Sequence, residues 1–196
     1  MVKDARMIVI VGVGALGSHV ALLGRNLAVE YKLIDFDRVE QKNTLSQFHT
    51  RMGLGRNKAQ ALAQGLQGLF GLKVEAVPHR LTADNAEALL GGAALVLDCL
   101  DNGASRRLVQ GFARAQGVPC LHGALAADGQ FGRVIWDEHF GIDDEDVEGQ
   151  PTCEDGEQLP FIGMAAAAMV QCVQDFLKDG TRRSLHLHPG GVVAVT

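Results

Sequence analysis

Paired cysteines are missing from this chain. The sequence has four, Cys99, Cys120, Cys153 and Cys172, and none falls in a CxxC spacing, so a four-thiolate zinc site is not indicated. An excess of positive charge is missing too. The formal net charge is −5, which argues against broad nucleic-acid binding. No run reads as a membrane span: the stretch 162–177, IGMAAAAMVQCVQDFL, is broken by Gln171, Gln174 and Asp175, which makes it too short and too polar to cross a bilayer. The N-terminal apolar run holds a glycine loop instead of a signal-peptide core, so a reducing cytoplasm is the expected compartment. Internal repeats and low-complexity tracts are also absent. What remains is an ordinary globular balance, 47% hydrophobic and 21% charged over 196 residues, read as one domain spanning 1–196.

The most informative stretch is residues 8–17, IVIVGVGALG. Four apolar residues suit a strand buried on both faces of a parallel sheet. They run into Gly12, Gly14 and Gly17 with GxGxxG spacing, and SHVALLGRNLA follows as a helix. In this context Gly12 allows the tight turn, Gly14 lets a phosphate approach the backbone, and Gly17 lets helix and strand pack closely. The helix start then offers amide hydrogens and a positive dipole end to an anion. The motif alone does not choose between NAD, FAD, SAM and ATP.

Further on, YKLIDFD (31–37) reads as a second strand ending in Asp35 and Asp37. Asp35 stands about 20 residues after the glycines, where an acid bonds a ribose hydroxyl in such folds. The stretch 38–57 is long for a strand–helix connection and rich in Arg38, Lys42, Asn43, Gln47, Arg51 and Arg56. Open α/β sheets bind ligands beyond the carboxyl ends of their strands. Lys58 opens the next helix, LKVEAV (72–77) reads as a third strand, and ALVLDCLDN (94–102) as a fourth, ending in Asp98 and Asp101. A helix over 104–116, strands in VPCLHGAL and FGRVIWD, a helix over 161–178, a short strand LHLH and a tail GGVVAVT complete the chain. Residues 137–160 lack periodicity, are dense in acids, and read as a crossover loop holding Cys153. The expected fold is α/β, a Rossmann-like, doubly wound, mainly parallel sheet with helices on both faces.

The order GxGxxG, DFDRVEQKNTLSQ, Lys58 and DCLDN resembles the ThiF/MoeB group of E1-like adenylyltransferases, over roughly residues 7–178. Asp35, Asp37, Val39, Asn43 and Gln47 match the family pattern DFDxVxxxNLxRQ, and TCEDGEQLPFIG matches the stretch around the family's reactive cysteine. The resemblance implies ATP and Mg²⁺ as cofactors and, as partner, a small ubiquitin-like sulfur-carrier protein with a C-terminal Gly-Gly whose carboxylate is adenylated. In that reading Gly12, Gly14, Ala15 and Gly17 form the phosphate cradle, and Asp35, Asp37, Asn43 and Gln47 hold sugar or phosphate. Lys58 neutralises the phosphates, Asp101 holds the magnesium, and Cys153 is the reactive thiol. Ser46 stands where the family has a triphosphate-binding arginine, with Arg51 or Arg56 as the replacement. The resemblance also implies a homodimer, for which Arg6 is the only arginine ahead of the first strand. Two other readings stay open: a non-catalytic E1-like binding module, favoured by Ser46, and a nicotinamide oxidoreductase, which would leave Lys58 and DCLDN without a role.

Overall fold

A computed structural model describes residues 6–142 and 156–195. Eight strands form one sheet in the order β3-β2-β1-β4-β5-β6-β7-β8. The strands are β1 (Met7–Val11), β2 (Glu30–Ile34), β3 (Glu75–Val77), β4 (Leu95–Asp98), β5 (Cys120–Leu125), β6 (Gly132–Trp136), β7 (Ser184–His188) and β8 (Gly191–Val195). The first five are parallel, and the last three are antiparallel. The helices are α1 (Ala15–Leu23), α2 (Asn43–Ser46), α3 (Lys58–Phe70), α4 (Ala86–Leu90), α5 (Gly103–Gln116) and α6 (Leu159–Asp179).

Two apolar cores follow from this winding. Ile8, Ile10, Leu33, Leu97 and Leu121 face one way, toward α1, α3 and α6, while Val9, Val11, Ile34 and Val96 face the other, toward α4 and α5. Alternate residues of β1 therefore feed opposite cores, and the strand is apolar throughout because both of its faces are covered. The chain runs outward from β1 to β2 and β3, then returns across β1 to β4. That reversal leaves a crevice beyond the carboxyl ends of β1 and β4, the standard ligand position of such sheets.

The observed elements differ from the sequence reading in five places. The third strand is shorter, Glu75–Val77, and the long 38–57 connection contains α2 and a 3-10 turn at Arg51–Gly53. The GGVVAVT tail is mostly strand β8, paired along β7. The 137–160 stretch opens with a 3-10 turn, Asp137–His139, and its end belongs to α6; its middle, with Cys153, lies outside the described residues. The last helix has 21 residues and is, by length and composition, apolar enough to cross a membrane, which corrects the shorter reading. In the fold its buried side, including Ile162, Ala166, Met169 and Val173, packs into the core with α1 and the sheet.

One tyrosine and one tryptophan mark the two halves of the sheet. Tyr31 on β2 donates its hydroxyl to the Gly24 carbonyl at 2.9 Å. Trp136 on β6 is 1% exposed and packs against Phe176 of α6.

Candidate functional site

The crevice is a cleft of about 480 Å³. Its floor is the turn between β1 and α1. Gly12 adopts φ +84°, a left-handed conformation that favours glycine. A Cβ on Gly17 would lie 1.9 Å from the Gly12 carbonyl oxygen, so only glycine lets α1 close on the turn. Gly17 acts by packing and does not itself line the cleft, which corrects its place among the ligand-contacting residues. Gly14 has the opposite surroundings. A Cβ there would meet only the Gln47 amide nitrogen, at 4.0 Å, so the loop is open above Gly14 and Ala15.

Asp35 fixes this loop from the end of β2. Its Oδ2 accepts the Val13 amide at 2.8 Å and its Oδ1 accepts the Asp37 amide at 2.9 Å. Burial pushes its carboxyl above the ordinary range, with the Val13 amide and Lys58 pulling it down. Each carboxylate oxygen has a second lone pair, so a ribose hydroxyl remains compatible with this task. Asn57, which the motif reading passed over, caps α3 by accepting the Gln60 amide. Its side-chain amide donates to the carbonyls of Asp35 and Asp37. An asparagine directly before a helical run is a capping signal, and the sequence carried it. These bonds place Lys58 on the first turn of α3, 9% exposed, with Nζ 3.5 Å from Asp37 Oδ2.

The other wall comes from β4 and β5. The turn Cys99–Asn102 follows β4 and brings Asp101 to the cleft, while Asn102 caps α5 through the Ser105 amide at 2.9 Å. Asp98 and Arg106 build that turn. Asp98 Oδ1 accepts the Leu100 amide at 3.0 Å, and Arg106 bonds Asp98 Oδ2 at 3.0 Å as well as the carbonyls of Leu100 and Gly123. Burial acts to raise the Asp98 carboxyl, but Arg106 and His122 outweigh it and hold it below the usual range.

The structure brings together Gly12, Gly14, Ala15, Asp35, Asp37, Asn43, Gln47, Lys58 and Asp101 around one cleft. Asn43 is 3% exposed and its Oδ1 accepts the Glu40 amide, so it also shapes the loop. Gln47 Oε1 is buried without a hydrogen-bond partner among the described residues. Arg51, on the 3-10 turn, does not line the cleft, nor does Arg56, which bonds Gln64 of α3. Both are thereby corrected as replacements for the missing arginine. Ser46 itself is 1% exposed, and its carbonyl is bonded by His19 at 3.1 Å. The cleft draws its positive charge instead from Arg38, Lys42, Lys58, Arg80, Arg106 and Arg133. Arg80 and Arg133 lie outside the motifs, so only the fold reveals them. Beneath the glycine loop, burial lowers His49 to about 4. The ring is therefore neutral, and its Nε2 donates to the Val13 carbonyl at 2.9 Å.

A glycine cradle at a sheet reversal, with cations on its walls, is the arrangement that open α/β sheets offer to phosphate-bearing ligands. Residues 2–185 match the ThiF family model, and the chain belongs to that family. It is 38% identical over 132 residues to a sulfur carrier protein adenylyltransferase of Thermus thermophilus, covering 63% of this chain and 47% of the relative. It is 32% identical over 178 residues to a molybdopterin-synthase adenylyltransferase of Salmonella typhimurium, covering 83% and 68%. The chain spans about half the length of most of these curated relatives, for example 45% of a SAMP-activating enzyme E1 of Haloferax volcanii. Among solved structures, E. coli MccB with ATP has the same fold, with TM-score 0.77 and 15% identity over 97% of this chain and 63% of that one.

Proposed function

We propose that the protein is an ATP-dependent adenylyltransferase acting on the C-terminal carboxylate of a small ubiquitin-like sulfur-carrier protein. The observation that carries this reading is one cleft holding an open glycine cradle, Lys58 and Asp101. The names of the curated relatives support it.

The chemistry follows from charge. A carboxylate attacking the α-phosphate approaches an anion, so positioning and positive charge make up most of the catalysis. The open backbone at Gly14 and Ala15 would receive the phosphates, and Lys58 would neutralise them. Asp37 and Asp35 would hold the ribose. Among the described residues no group of three or more His, Cys, Asp or Glu side chains could hold a metal ion by itself; Asp101 would hold a magnesium ion jointly with phosphate oxygens, the usual mode for that ion. When bound, the ion would stabilise the pyrophosphate leaving group. The carrier carboxylate oxygen forms a bond to the α-phosphorus as the bond to the β-phosphate bridge breaks, giving acyl-adenylate and pyrophosphate. In this proposal the thiolate of Cys153, outside the described residues, attacks the activated carbonyl afterwards, forming a thioester as the acyl–phosphate bond breaks and AMP leaves.

The test is ATP–pyrophosphate exchange with a carrier ending in Gly-Gly. Exchange that depends on the carrier's last glycine supports the reading. Micromolar NADH binding without ATP binding would replace it with the oxidoreductase, and ATP binding without exchange would leave a binding module.

A further inference from the structure

His122 on β5 is fully buried, yet it contacts two carboxylates. Its Nδ1 lies 2.7 Å from Asp98 Oδ2, and its Nε2 lies 3.1 Å from Asp137 Oδ1. A neutral imidazole has one N–H and donates to one of these; the doubly protonated ring donates to both. Every neighbour is arranged to hold the row. Arg106 of α5 pairs with Asp98 at 3.0 Å, and Arg114 of α5 pairs with Asp137 at 2.7 Å. Gln110 bonds both Asp137 Oδ1 and the Phe140 carbonyl. The nearby thiols of Cys99 and Cys120 are pushed up by burial and stay neutral. Glu138, beside Asp137, is paired away with Arg182.

The row ends at the cleft. Phe140 stacks on His122 with centroids 4.1 Å apart and planes 4° from parallel. Its ring also lies 4.7 Å from the Arg133 guanidinium. Phe140 and Arg133 both line the cleft; Arg133 stands opposite Ala124 of β5, and Phe140 rests on His122 of β5, so this wall is on the β5–β6 side of the sheet, with β1 and β4 between it and β2. In the adenylation reading, a nucleotide on the glycine cradle would leave this wall among the surfaces open to the second substrate.

We propose that His122 is a positioning residue: donating from both nitrogens to Asp98 and Asp137, it fixes the Asp137–His139 turn and, with it, Phe140, whose ring is part of the wall that seats the acyl substrate. The substrate half of this inference rests on the adenylation reading. The placement of the wall does not. Asp98 keeps Arg106 and the Leu100 amide when His122 is changed, so the Asp101 turn survives, while Phe140 loses its stacking partner.

Two measurements need no activity. Nitrogen-15 spectra of the labelled protein at pH 7.5 should show both His122 ring nitrogens protonated. Hydrogen exchange over residues 137–142 should speed up by about tenfold in His122→Asn, as a local opening becomes easier. In pyrophosphate exchange, His122→Asn should raise KM for the carrier about tenfold, while kcat and the ATP dissociation constant move by less than about twofold. Asp137→Asn, which breaks one end of the row at a side chain that is not fully buried, should reproduce the exchange and KM changes should His122→Asn fail to fold. A single N–H on the ring, unchanged exchange at 137–142, or a fall in kcat with KM unchanged would overturn the proposal. If the wild type shows no carrier-dependent reaction, the adenylation reading fails, and the first two measurements still decide the role of His122.

Discussion

The parallel and antiparallel halves of the sheet are built to different standards. In β1, Ile8, Val9 and Ile10 are fully buried, and the strand pairs on both sides. In β8, Val193 is 59% exposed, and among the described residues the strand pairs only with β7. The first half has helices on both faces and carries the glycine cradle, Asp35, Lys58 and Asp101. The second supplies Arg133, and Phe140 just beyond it, to the far wall of the cleft. In the proposed reading, the site that holds the phosphates is thus placed where packing leaves least freedom.

The comparison breaks most visibly at glycines. Gly17→Val puts a side chain into the Gly12 carbonyl, a backbone atom that cannot yield. Overpacking costs about 3 kcal/mol or more here, and the variant should neither bind ATP nor melt cooperatively. Gly132→Ala in β6 would meet Leu125 and Phe161 side-chain atoms at 3.1 and 3.3 Å, which shift by tenths of an ångström. It should melt only slightly below the wild type. Equal losses in a thermal scan would erase the distinction.

Next in size is Asp98→Asn. It leaves Arg106 and His122 without their anion, and breaking a buried pair costs about 3 kcal/mol. The sign with pH follows from the folded carboxyls. Against the pull of burial, Arg106 and His122 lower Asp98, and Arg114 and Gln110 lower Asp137. Their stabilisation is present above the ordinary carboxylate range and is lost as pH falls through the lower, folded values. Urea midpoints should therefore fall on acidification below about pH 4, and less steeply in Asp98→Asn.

Lys58→Ala and Asp101→Ala should each slow pyrophosphate exchange about 10²-fold, the size of a lost preorganised charge, with urea midpoints near wild type. Arg51→Ala should leave the rate unchanged, because Arg51 does not line the cleft. Cys153→Ser should keep exchange and lose any covalent adduct with the carrier, read by mass spectrometry. The smallest effect belongs to Val193→Lys in β8, which should change stability by less than about 0.5 kcal/mol.

The same division explains what was legible in the sequence. Strands buried on both faces are continuous apolar runs, so MIVIV and LVLD showed themselves, and the glycine spacing with Asp35 and Lys58 showed the cradle. β8 was hidden because VVAV follows two glycines and packs on one neighbour, which reads like a tail. Arg51 was misplaced because charge in a loop says nothing of direction. Arg80, Arg133 and Phe140 were missed because they reach the cleft from three separate segments, and only the sheet order brings them together. Asp98 and His122, 24 residues apart, form a row that no spacing rule contains.

Tyr31 and Trp136 are the only tyrosine and the only tryptophan in the chain. One lies in each half of the sheet, so nature has placed a separate optical reporter on each. Tyrosine emission follows the strand beside the glycine cradle, and tryptophan emission follows the strand that leads into the Asp137 turn. If the two unfolding curves superimpose in urea, the sheet melts as one cooperative unit despite its unequal halves. If the tryptophan curve leads, the far wall of the cleft loosens while the cradle stays folded; under the proposed adenylation, a large second substrate would then leave while the nucleotide stays seated.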